Sequence, residues 1–178
     1  MFHHRVRRTA DFHKKHKLHF GRGMHPDVLT MRTHLILEES AELMLAVFKE
    51  EEIKILDALG DIMYVCAGSY VAIVGESRAV DAPVYTEVNV PVHSDAYKGC
   101  ARFGVTEILR GLHYQLIECY EMTLHAMIMT AQMGYDPVAV FDRIADSNDT
   151  KDYTGDQRVS NKGPNYKPPV LEDLCRKS

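Results

Sequence analysis

The sequence predicts an all-α protein, a helical bundle of several long rods with a loop or short-hairpin insertion and an extended C-terminal tail. Three observations carry that expectation. Apolar residues recur at helical spacing through long stretches with no proline inside them. Glycine and proline gather instead at a few joints: Gly21, Gly23 and Pro26, the segment 76–103, and the tail. Strand-like alternation stands out in one place, Val84-Tyr85-Thr86-Glu87-Val88-Asn89-Val90, inside that same segment. At 178 residues the chain has the length of one domain, so 1–178 is read as a single unit.

The elements follow in order. A polar, helix-compatible stretch over about 5–20 has only a weak apolar stripe, Val6, Ala10 and Phe12. A long helix is expected over about 27–51, with Asp27 near its start and no Gly or Pro inside. It is apolar on several faces, through Leu35, Ile36, Leu37 and the run from Leu43 to Phe48, as befits the centre of a bundle. A second long helix runs over about 52–74, and the short polar joint between the two implies an antiparallel hairpin. A third spans about 104–134 with a weak point at Gly111. A shorter one opens at Pro137, capped by Asp136, and runs to about 145. The tail from Asp146 is polar and ends in Pro168-Pro169.

Composition excludes several function classes. The formal charge of −4 argues against a partner that is a nucleic acid polymer, which calls for a basic surface. Met1 to Arg8 is basic and His-rich with no apolar stretch behind it, unlike a signal peptide. The longest uncharged run, 62–75, has 14 residues, against roughly 20 needed to cross a bilayer, so no membrane is expected. Cys66, Cys100, Cys119 and Cys175 are widely spaced, without a CxxC pair, which fits a reducing, cytoplasmic setting. His13, His16 and His19 stand at i, i+3, i+6. Their rings fan out rather than converge on a zinc or nickel ion, and they read as a solvated, pH-sensitive face.

The chemistry lies in Glu38-Glu39-Ser40-Ala41-Glu42 and Asp57-Ala58-Leu59-Gly60-Asp61. On a helix, residues three and four apart share a face, so Glu38 and Glu39 neighbour Glu42, and Asp57 neighbours Asp61. An antiparallel hairpin sets these two acidic turns opposite one another, five carboxylates in one small volume. At an effective dielectric near 20, two unit charges 4 Å apart repel by about 4 kcal/mol. Carboxylates survive there by taking up protons or by sharing a hard cation, and Mg²⁺ and Mn²⁺ suit oxygen ligands. The bland alternative is a solvated acidic face; the apolar residues flanking both turns count against it. A di-iron bundle is a rival that also lines a helical core with carboxylates, but it needs Glu-x-x-His on two helices, and no ExxH occurs here.

Leu35-Ile36-Leu37-Glu38-Glu39-Ser40-Ala41-Glu42-Leu43 followed by Asp57-Ala58-Leu59-Gly60-Asp61-Ile62-Met63-Tyr64 resembles the signature of the MazG-like, all-α nucleoside triphosphate pyrophosphohydrolases, EExxE then ExxD on the next helix. Ser147-Asn148-Asp149-Thr150-Lys151 and Lys162-Gly163-Pro164-Asn165-Tyr166-Lys167-Pro168-Pro169 resemble the SNxxK element and KGPxYxxP close of the phosphoribosyl-ATP pyrophosphohydrolase-like branch common in phages, in which a MazZ group acts on dGTP. Asp11-Phe12-His13 and Arg32 fit the same pattern, and 76–103 falls outside it. The chain departs at one point: the first acid of ExxD is Ala58 here, with Asp57 one residue earlier.

The resemblance implies hydrolysis of a nucleoside triphosphate at the α-phosphate, releasing the monophosphate and pyrophosphate. It implies Mg²⁺ or Mn²⁺ held by Glu39, Glu42 and Asp61, with Asp57 as a further ligand. Glu38 is the candidate to orient or deprotonate the water. Asn148, Lys151, Lys162, Tyr166 and Lys167 would contact the nucleotide, the tail 147–178 closing over it; Tyr64 reads as core. A purine is expected, guanine ahead of adenine, although no single residue reads the base. The expected setting is the cytoplasm, or the host cytoplasm for a phage-encoded chain. A non-catalytic nucleotide-sensing or interaction protein of the same fold is the alternative that the Asp57/Ala58 shift leaves open. Two hairpin helices apolar on several faces exceed what one short chain can cover, so a homodimer or homotetramer is expected.

Overall fold

A computed structural model describes residues 2–75, 115–153, 160–174 and 176. They form five helices, α1 (Phe2–Lys15), α2 (Pro26–Lys49), α3 (Glu52–Val74), α4 (Gln115–Gln132) and α5 (Pro137–Asn148), and a two-residue antiparallel ribbon, β1 (Asp152–Tyr153) with β2 (Ser160–Asn161). The all-α expectation holds. The insertion 76–103, the first part of the helix expected from 104, and Gly111 lie outside the described residues.

α3 is the centre of the bundle, and α1, α2, α4 and α5 all pack on it. Between Ile55 and Ile73 its residues are buried except Asp57, Asp61 and Tyr70. An 18-residue window of this helix has a mean hydropathy of 1.3, long and apolar enough to cross a membrane, yet 78% of that window is buried inside the fold. Such a helix is the core rod of a bundle.

That position was expected of α2, and α2 is peripheral. Its buried residues Val28, Arg32, Ile36, Ser40, Leu43 and Ala46 follow the three-and-four spacing of one face, and that face meets α3. Leu37, Met44, Leu45 and Phe48 point away and are exposed, Phe48 by 86%. Composition alone cannot distinguish a helix packed all round from one with a second apolar face left over.

Two joints hold the hairpin. Glu50 takes the left-handed conformation (φ 59°), its N–H donating to Ala46 O and Val47 O, which ends α2 and reverses the chain in two residues. At the far end, the N–H groups of Gly21, Arg22 and Gly23 donate to the carbonyls of Val71, Ala72 and Ile73 at 3.0, 2.9 and 2.9 Å. The α1–α2 connection thus satisfies the last carbonyls of α3, which no residue of the helix can reach. Gly21 (φ 60°) and Gly23 (φ 70°) supply the positive φ this close approach needs.

α4 buries Met122, Ala126 and Met129, and Met133 just beyond it is buried as well. α5 begins as expected, Asp136 accepting from the Val138 N–H at 2.9 Å with Pro137 following, and buries Val140, Phe141, Ile144 and Ala145. It continues to Asn148, so the SNxxK motif starts on the last turn of a helix rather than in the tail. α1 is better buried than its weak stripe suggested: Arg5, Val6, Thr9, Ala10, Phe12 and His13 all lie inside. His13 therefore does not belong to a solvated face, and α1 ends at Lys15, before His16 and His19. Arg8 reaches across to Asp146 (2.8 Å) and Asp149 (3.1 Å), fastening α1 to the end of α5.

The tail runs back over α5. Ser147 Oγ donates to Lys167 O at 2.8 Å, and the Lys167 N–H donates to Thr150 Oγ1 at 2.9 Å, so two side chains grip one residue's backbone from both sides. Leu171 is buried, Arg143 pairs with Asp173 at 2.8 Å, and Arg176 bonds to Glu52 at the closed end of the hairpin and to Tyr135 between α4 and α5.

Candidate active site

Glu38, Glu39 and Glu42 of α2 face Asp57 and Asp61 of α3 across one wall of a cavity of about 450 Å³. These two aspartates are two of the three positions where α3 escapes burial between Ile55 and Ile73. The pairing needs only helix periodicity and the two-residue joint, because the acids sit near the closed end of the hairpin. Ala58, at the position where the resemblance calls for an acid, is 3% exposed and packs in the core. Asp57 is the residue that faces the cavity. Gly60, between the aspartates, lets α5 come close: a Cβ there would overlap Ile144 Cγ1 and stand 3.2 Å from Val140 Cγ1.

That close approach brings the end of α5 to the acids. Asn148, Lys151 and Ser147 line the same cavity, and the tail adds Lys162 and Tyr166, the Lys162 ammonium lying 5.2 Å from the Tyr166 ring centre. Lys167 is not among the lining residues. It borders a second, open cleft with Lys15, His16 and Asp149, which adjoins the first through Lys151 and Tyr166. Of the ten residues proposed from sequence, nine thus share one cavity.

The electrostatics are those of acids held together out of water. Burial drives the Glu39 pKa well above the carboxylate range, with Asp61, Glu42 and Glu38 adding to it against Lys151. Asp61 is raised by burial and then by Asp57, with Lys151 and the Asn148 amide opposing. Asp57 is raised by burial and Glu42, and lowered by Lys162 and Lys151. Asp57 Oδ1 is buried with no hydrogen-bond partner, an arrangement that costs about 1–3 kcal/mol unless something fills it. An all-oxygen donor set with an orphaned carboxylate oxygen suits a hard divalent cation, and Glu39, Glu42, Asp57 and Asp61 are the residues that would hold one. Among the described residues no three His, Cys, Asp or Glu groups already converge as a formed metal centre.

The cavity has an inner end that the spacing of the acids does not reveal. It is walled by Phe12, Leu18, Met31, Leu35 and Val65, with His13 and Arg32 among them and Tyr64 between the two ends. Arg32, 7% exposed, is tied to α3 by Ser69 Oγ at 2.9 Å and Val65 O at 2.5 Å. His13 Nδ1 lies 2.7 Å from His19 O. A carbonyl only accepts, so Nδ1 carries the proton and Nε2 is the acceptor. Burial, and after it the Arg32 cation, pushes the His13 pKa down to about 4, so the ring is neutral at pH 7. Gly68 makes room for both heads: a Cβ there would lie 2.9 Å from Arg32 Nη2 and 3.0 Å from His13 Nε2. The signal in the sequence was a buried-face register, Val6, Ala10 and His13, that a polar helix disguises.

Residues 6–73 match the family model of phosphoribosyl-ATP pyrophosphohydrolase. No curated protein and no solved structure matches the chain. The matched span covers α1 from Val6 on, the hairpin up to Ile73 and both acidic turns, and it includes His13, Arg32 and Gly68. This family carries a pyrophosphohydrolase-type activity and typically depends on a divalent metal. Over residues 6–73, then, the chain is similar to the phosphoribosyl-ATP pyrophosphohydrolase family, one of the MazG-like, all-α NTP pyrophosphohydrolases.

Proposed function

We propose that this protein is a Mg²⁺- or Mn²⁺-dependent nucleoside triphosphate pyrophosphohydrolase that converts a (d)NTP and water into the (d)NMP and pyrophosphate, with a purine, guanine first, as the preferred base. The observation that carries this reading is the orphaned, buried Asp57 oxygen in a cavity where five carboxylates meet Lys151 and Lys162. Acids alone would repel a triphosphate and lysines alone would not need the acids. A polyphosphate arriving with a divalent cation uses both.

In this reading Glu39, Glu42 and Asp61, with Asp57, hold the cation, which when bound neutralises phosphate charge, polarises phosphoryl oxygens and acidifies water. Glu38 orients the attacking water and takes its proton at a carboxylate oxygen as the water oxygen bonds to the α-phosphorus. The bond from that phosphorus to the pyrophosphate oxygen breaks, and the pyrophosphate leaves beside Lys151 and Lys162. Asn148, whose amide donates to Ile144 O at 3.0 Å and steadies Asp61, lines the nucleotide's side of the cavity, and Tyr166 with the tail covers the nucleotide and excludes bulk water. A cytoplasmic setting, where nucleoside triphosphates are made, goes with this reading.

A homo-oligomer belongs to the same proposal. Leu37, Met44, Leu45 and Phe48 form an exposed apolar stripe along α2 beside Glu38 and Glu42, and a second copy covering it would adjoin the mouth of the site.

The test is a panel of ribo- and deoxynucleoside triphosphates with Mg²⁺ or Mn²⁺, assayed for monophosphate and pyrophosphate. Activity is expected to vanish with chelator and to fall at least about a hundredfold, near 2.7 kcal/mol of barrier, in Glu42→Gln. Full activity in that variant would remove the ligand assignment, and inorganic phosphate as first product would remove the reaction type.

A further inference from the structure

The inner end of the cavity differs in kind from its acidic wall. If the cation and phosphates occupy the acidic wall, the rest of the ligand lies against Phe12, Leu18, Met31, Leu35 and Val65, a setting for a flat heterocycle. Two polar heads stand in that apolar surround, and both meet over the bare backbone of Gly68. One is a fixed acceptor: His13 has its Nδ1 proton committed to His19 O, which leaves Nε2 with a lone pair. The other is a fixed cation: the Arg32 guanidinium is anchored through Ser69 and Val65, so its position is set before any ligand arrives.

We propose that His13 and Arg32 form a base-reading subsite for a heterocycle with a lactam edge, His13 Nε2 accepting from the ring N–H and the Arg32 guanidinium donating to the adjacent carbonyl oxygen. Guanine and hypoxanthine present that edge. Adenine and cytosine carry an amino group in place of the carbonyl and would turn N–H hydrogens towards the guanidinium, leaving a buried cation opposed by donors. The discrimination is thus for the keto group, not for the 2-amino group of guanine. This subsite rests on reading the cavity as a nucleotide site; it names which residues choose the base.

The experiment compares dGTP, dITP, dATP and dCTP with Mn²⁺, reading pyrophosphate, and in parallel measures dGMP and dAMP binding to the wild-type protein by calorimetry. The expected result is kcat/KM at least about tenfold higher for dGTP and dITP than for dATP and dCTP, with dGMP bound more tightly than dAMP. In His13→Phe, which keeps a flat ring and removes the acceptor, the preference should collapse mainly through a higher KM for dGTP and dITP. Retained preference in a folded His13→Phe, or dITP behaving like dATP, overturns the assignment. If that variant does not fold, the wild-type panel and the calorimetry decide alone. Hydrolysis of all four substrates at equal efficiency overturns the subsite and leaves the proposed reaction standing. Tighter dGMP binding with no pyrophosphate from any triphosphate supports the subsite and overturns the reaction. Neither selective binding nor hydrolysis overturns both.

Discussion

Gly60 offers the sharpest test of how the fold builds this site. In Gly60→Ala the new methyl would overlap Ile144 Cγ1 and crowd Val140 Cγ1 at 3.2 Å and Ile144 Cδ1 at 3.3 Å, so α5 must retreat or Ile144 must change rotamer. Overpacking of this kind costs about 1–3 kcal/mol. Alanine gains about 1 kcal/mol over glycine in a helix interior. Contacts with two side chains on one helix place the strain in the upper half of its range, for a net loss of about 1–2 kcal/mol. At this chain length that lowers Tm by roughly 2–8 °C, readable by thermal denaturation followed by circular dichroism. Because α5 ends at Asn148 and leads into Lys151, the retreat should also lower kcat/KM. Ile144→Ala removes both Cγ1 and Cδ1, so the double variant should lose less stability than the two single losses combined. A Tm equal to or above wild type in Gly60→Ala would refute the claim that the glycine sets the α3–α5 distance.

Other predictions concern charge, assembly and the tail. The folded pKa values of Glu39, Asp57 and Asp61 lie above their unfolded values, so these groups favour the folded state most at low pH and lose that contribution as pH rises through the folded values. With chelator, they should make Tm lower near about pH 8 than near about pH 5.5; with Mn²⁺ the order should reverse, because cations bind the deprotonated acids, and a Mn²⁺-induced Tm gain no larger at the higher pH would refute the shared-cation reading. Phe48→Glu and Leu45→Glu should shift the protein to a smaller species in size-exclusion chromatography with light scattering, and an unchanged mass would remove α2 as the interface. Thr150→Val deletes the acceptor for the Lys167 N–H, a bond worth about 1 kcal/mol. It should raise KM by about fivefold with a smaller effect on kcat; an unchanged KM would show that the strap does not position Lys162 and Tyr166.

Much of this protein is already determined by its sequence. Helix period and the brief polar joint at Lys49 to Glu51 bring Glu38, Glu39 and Glu42 opposite Asp57 and Asp61, because an antiparallel pair with a two-residue turn admits almost no other register. Asp136-Pro137 starts its helix where local capping chemistry says it must. These are short-range facts, and short-range physics suffices for them. Which long helix is central was not legible, since α2 and α3 are both rich in apolar residues and only packing shows that α3 is covered on all sides while α2 keeps a bare stripe. Nor was the burial of His13 and Arg32. Their value comes from meeting over Gly68, a residue 55 positions from one and 36 from the other, and no local rule relates groups that far apart. The tertiary structure alone decides such encounters, because burial and contact are properties of the assembled chain, whereas periodicity and capping belong to each segment by itself.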